Sequence, residues 1–153
     1  MFRWVEKLVD RLAEGLVRRG QSMVEREDRA LEERRTAVRS VREAITEAMT
    51  HAEDDREHGG DSDRSAAVAA ANRAGAVVHE VADEDARRLV LEWKSRFDAI
   101  QKGWKEGALV GMYSNERKPR GYPEPAWSEL RGSADAALDR LGVVLRDILE
   151  RRK

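Results

Sequence analysis

Two groups of residues have the types and spacing to do chemistry. The first is His51, Asp54, Asp55, Glu57 and His58, with Glu47 one turn earlier. Residues three, four and seven apart share a helix face, so Glu47, His51, Asp54 or Asp55, and His58 can converge. Imidazole with carboxylate suits a borderline divalent metal, which makes His51, Asp55 and His58 candidate ligands. Against this, residues 51–63 hold six acids and one Arg, and charge runs at turns are ordinarily solvated. Asp61, Asp63 and Ser65 match the opening of a calcium loop, but Ala66 replaces the required Gly and Asn72 the closing Glu. The calcium reading fails on those two positions.

The second group is Tyr113, Arg117, Lys118, Arg120 and Tyr122, where bases alternate with aromatics. That combination can hold a phosphate and stack on a base. It serves equally as a surface connector whose tyrosines seal the end of a bundle. His79, beside Glu80, is an isolated histidine and reads as a rim residue. No P-loop, nucleophile elbow or zincin helix is present. The chain therefore reads as non-enzymatic, with no cofactor and no small-molecule substrate inferred.

Composition narrows the partners. The formal net charge of −1 does not match the basic footprint of a general nucleic-acid binder. With no cysteine, thiolate catalysis and Cys-ligated metals are excluded. No apolar run approaches the ~20 residues of a membrane span, so a soluble cytoplasmic protein is expected. Phe2 and Trp4 open an amphipathic stretch, but residues 1–20 carry only five bases against three acids, a weak membrane signal.

The elements that must position these residues are helical. Charged residues reach 39%, aromatics 5%, and the three prolines all lie within 119–125. The periodicity predicts helices over about 2–19, 22–58, 62–106 and 126–151, with a loop over 107–125. Gly20 reads as a stop and Ser22-Met23-Val24-Glu25 as a capping box. Val24, Leu31, Val38, Ile45 and Ala52 recur every seven residues, the repeat of a supercoiled helix. Gly59-Gly60 followed by Asp61, Ser62 and Asp63 supplies a stop and a new start. The four-residue steps Val78–Ala82–Ala86–Val90 read as a stutter within one long helix.

The expected fold is all-α: one 153-residue domain with a long antiparallel helical hairpin, 22–58 and 62–106. Shorter N- and C-terminal helices pack at one end to complete a four-helix bundle around Trp4, Trp93, Phe97, Trp104 and Trp127. Met23, Val24, Leu31 and Val38 would face the aromatic half. The Ala-rich arm, 66–82, carries apolar residues on more than one side, whereas one partner helix covers a stripe about 100° wide. Ala66, Ala70, Ala74, Val77 and Val81 are therefore the expected interaction face. The function expected from this is protein–protein interaction or assembly, with self-association through the arm. Nucleic-acid or phosphate binding by the basic loop, and metal or ligand binding by the bundle, are the alternatives.

Overall fold

The computed structural model describes residues 3–114 and 122–151, and for 104–114 the backbone alone. It is an all-α bundle with the element order α1 (Arg3–His58), α2 (Asp61–Val77), a 3-10 turn (Val78–Glu80), α3 (Glu84–Ser114) and α4 (Ala126–Glu150). The chain divides into two units, Met1–Glu33 and Arg34–Lys153. In the first, the expected break at Gly20 is not made: α1 runs through it, and the capping box at Ser22 is not used. A glycine inside a helix costs only about 1 kcal/mol. A stop needs the next element to turn back and pack, and here the helix continues to His58.

The second unit is an up-down-up-down bundle. Its first helix buries Ala37, Val38, Val41, Ala44, Ile45, Ala48 and Ala52 at three- and four-residue spacing. It ends where Gly59 takes φ +64, with its N–H donating to the Asp55 carbonyl at 2.8 Å. That left-handed cap is strained for any residue with a Cβ. Gly60 is extended, and Asp61 and Asp63 put negative charge at the α2 N-terminus. Arg73–Glu47 and His51–Asp63 tie α2 back antiparallel along α1.

The predicted 62–106 helix is two helices. After α2 the chain makes the 3-10 turn, goes extended at Val81 (φ −76, ψ 121), and restarts. Asp83 caps the restart: its Oδ2 accepts from the Ala86 amide at 2.9 Å. The same carboxylate receives Arg140 of α4 through Nε and Nη2, both at 2.9 Å. What read as a stutter is therefore a chain reversal. α3 extends to Ser114, so residues 107–114 of the expected 107–125 loop are helical.

Reversal sets the aromatic half of the predicted 62–106 helix, with Trp93 and Phe97, beside its Ala-rich half. The Trp93 indole N–H donates to Met49 Sδ at 3.4 Å, a partner outside the expected set of Met23, Val24, Leu31 and Val38. Ala67, Ala70, Ala71 and Ala74 of α2 are fully buried, as are Ala86, Val90, Trp93 and Phe97 of α3. Alanine stripes make room for the two rings, whose centroids are 5.7 Å apart, so large and small residues face each other across the core. At Gly75 an added Cβ would sit 3.3 Å from Lys94 Cε, a sign of how closely α2 and α3 approach.

α4 returns along α3 and closes the bundle with Trp127, Leu130, Ala134, Ala137 and Leu141 buried. Arg96–Glu129 links it to α3 at 3.3 Å. Arg56 reaches it from α1, bonding Glu124 at 3.1 Å with its guanidinium 5.2 Å from the Trp127 ring centroid. Of the predicted aromatic cluster, Trp93, Phe97 and Trp127 are core residues. Trp4 is 69% exposed in the first unit, and the Trp104 side chain lies outside the described residues. Among the described residues no helix is long and apolar enough to cross a membrane.

Candidate functional site

The α1–α2 turn does not assemble His51, Asp55 and His58. Asp55 points inward and is 4% exposed. Its Oδ1 accepts from the Gly60 amide at 3.2 Å, and its Oδ2 lies 3.4 Å from Arg64 Nε. The carboxylate is thus engaged in holding the turn. His58 is solvent-facing, 3.7 Å from Glu57. A different trio converges: single ligand atoms of His51, Asp54 and Asp63 lie within 4.8 Å of one another. His51 Nδ1 is 3.4 Å from Asp63 Oδ1. An exposed or half-buried trio like this arises wherever two acidic helix ends meet, and among the described residues no hydrogen bond orients the histidine from its other nitrogen. His79 is exposed on the 3-10 turn.

The basic loop gives up one of its aromatics. Tyr122 is 2% exposed and takes φ 66. Its hydroxyl accepts from Gln101 Nε2 at 2.8 Å, and its ring meets Trp127 edge-on at 5.3 Å. Burial pushes its phenol up to about 12, opposed by the Gln101 hydrogen bond. It is a core residue, unavailable for stacking on a ligand. The side chain of Tyr113, and Arg117, Lys118 and Arg120 altogether, lie outside the described residues.

The expected interaction face is also largely used within the chain. Ala70, Ala74 and Val81 are 0–1% exposed, while Ala66 and Val77 are half-buried at the edge of the stripe. The expectation assumed a two-helix arm. With α3 folded back, the alanines that looked surplus line the bundle core.

Most of the exposed large apolar side chains lie elsewhere, on the first unit; Leu91 and Leu149 of the second unit are the others among the described residues. Trp4, Val5, Leu8, Val9, Leu12, Leu16, Val17, Met23 and Val24 are 37–69% exposed. Eight positions from 5 to 30 run in alternating steps of four and three: Val5, Val9, Leu12, Leu16, Arg19, Met23, Arg26 and Ala30. That is a heptad seam, and every member of it is exposed. The amphipathic pattern over 2–19 was visible in the sequence. It read as the inner face of a bundle helix because pattern shows that a face is apolar, not what covers it. Scattered exposed aliphatics are ordinary, whereas large contiguous apolar patches are characteristic of interaction surfaces. No family model, curated protein or solved structure matches the chain.

Proposed function

We propose that the protein is a non-enzymatic helical interaction module whose contact element is the N-terminal stretch of α1, and whose four-helix bundle is the folded base that carries it. One observation carries this reading: the heptad seam from Val5 to Ala30 is solvent-exposed throughout. Removing a large aliphatic side chain from water contributes about 1.5–3 kcal/mol. Four such residues, Val5, Val9, Leu12 and Leu16, occupy consecutive seam positions. The seam favours a helical protein partner, because a seven-residue repeat keeps in register with another supercoiling helix.

A photo-cross-linking residue in place of Leu12, in the native host, tests the reading. Protein adducts at this position, to the same chain or another, are expected and can be identified by mass. Adducts only to lipid, or none above a control at exposed Ala69, would overturn it.

A further inference from the structure

We infer that α1 has two starting points, the full-length helix from Arg3 and a shorter one capped at Ser22, and that the free chain alternates between them. The consequence rests on the interaction reading: a partner that grips the seam selects the full-length form. Three features of the stretch before Arg34 carry the inference.

The first is that, among the described residues, no tertiary contact holds this stretch helical. Residues 3–30 are exposed without exception. None of them belongs to the core cluster or packs against it, and none forms a described ion pair. The bundle half of α1, buried at Val38 to Ala52, supplies the nucleus from which the helix grows. How far it grows is decided by local terms.

The second is the pair Gly15 and Gly20. A Cβ at either would meet nothing within 4 Å, so no close approach requires a glycine there. Their effect is to weaken the helix, each about five-fold relative to alanine. Trp4, Val5, Val9, Asp10 and Val17 are also poorer formers than the Leu, Arg and Glu between them. The best formers gain only a factor of about 1–1.6 apiece near 0 °C. The helical and unwound forms of 3–21 therefore lie within roughly ten-fold of each other.

The third is a ready helix start just past Gly20. Ser22 and Glu25 have the capping-box spacing: the Ser22 hydroxyl accepts from the Glu25 amide, and the Glu25 carboxylate accepts from the Ser22 amide. In the full-length helix the box is idle, because both amides are interior to α1. It closes when the residues before it unwind, and it stabilises that state about five-fold.

Val5, Val9, Leu12 and Leu16, the large aliphatic residues of the proposed contact, all lie ahead of Ser22. They share one face only in the full-length helix. Binding to that face draws unwound molecules into helix, and affinity is lowered by the fraction that must be converted.

Millisecond hydrogen exchange of the purified full chain, read in fragments within 3–21 and 24–33, tests the inference. Protection should step at residue 22, with the amides after it at least about five-fold more protected than those before. Glu25→Ala should raise protection before the step about two- to five-fold. Residue 25 is helical in both forms, so its own propensity cancels and only the box is lost. Gly20→Ala should raise the same protection about five-fold. Equal protection in 3–21 and 24–33, or a Glu25→Ala variant that leaves 3–21 unchanged, overturns the inference. Cross-linking at Leu12 reads separately. Protein adducts together with a uniformly protected stretch leave the interaction reading standing and remove the two-start helix; a step at residue 22 without adducts does the reverse.

Discussion

If α3 folds back on α2, enlarging a side chain in the alanine stripe must disturb the bundle. Ala70 is 0% exposed. Ala69, its neighbour in sequence, is exposed on the same helix. Ala70→Leu adds three carbons where the helices are already close: at Gly75, little more than one turn along, a single added Cβ would come within 3.3 Å of Lys94. Extra carbons in a packed core cost about 1–3 kcal/mol. Three of them at a site with no exposed surface belong at the upper end, about 3 kcal/mol. For a unit of this size that lowers the melting temperature by roughly 8–12 °C. Ala69→Leu should stay within about 0.5 kcal/mol of wild type. Urea unfolding followed by tryptophan fluorescence measures both, because Trp93 and Trp127 are buried and report on the bundle. Equal midpoints for Ala70→Leu and Ala69→Leu would refute the packing. They would mean that α3 does not cover α2, and the Ala70–Ala74 side would again be a free face.

Two ionisable groups give further tests. Arg140, through its hydrogen bonds, holds the Asp83 carboxyl below its ordinary value of 3.8, with the Ala86 amide adding to the effect and partial burial opposing it. A depressed carboxylate contributes stability that is present above its unfolded value and lost as pH falls through its folded one. Asp83→Ala should cost about 2 kcal/mol at neutral pH through the lost cap and ion pair, and unfolding midpoints should show a shallower acid limb below roughly pH 4 than wild type. Tyr122 has the opposite sign: above about pH 10 the unfolded chain gives up a proton that the folded chain retains, so stability falls towards pH 12 by up to roughly 2–3 kcal/mol. Tyr122→Phe keeps the ring against Trp127 and should flatten that limb; superimposable alkaline limbs for variant and wild type would remove Tyr122 from the core.

How far the sequence could be read follows from the distance between a residue and its partner. The α1–α2 turn was legible because Gly59, Gly60 and the acids after them act within a few positions. The α4 stripe was legible because its period is local. The reversal at 78–83 was not, since no glycine or proline marks it. Its one local sign is Asp83 followed by Glu84 and Asp85, an N-cap with an acidic first turn. What completes it is Arg140, 57 residues away. Tyr122 misled for the same reason: its hydroxyl partner, Gln101, is 21 residues back, and without that partner an aromatic among bases looks like a ligand platform.

The two misplaced faces have a common cause that bears on function. Periodicity measures how much apolar surface a helix presents, and the fold decides which of it stays uncovered. Counting the alanines of 66–82 against a single partner helix produced a surplus, so the interaction face was assigned there. The Val5–Leu16 stripe, counted against an imagined bundle, produced none. Once α3 supplies a second partner, the alanine surplus disappears into the core. The residues of the N-terminal seam are all exposed. Its arginines point the same way: an inner face built for this chain's own core would hold Arg19 and Arg26 only if each were paired within the chain, and no ion pair of either is among the described contacts.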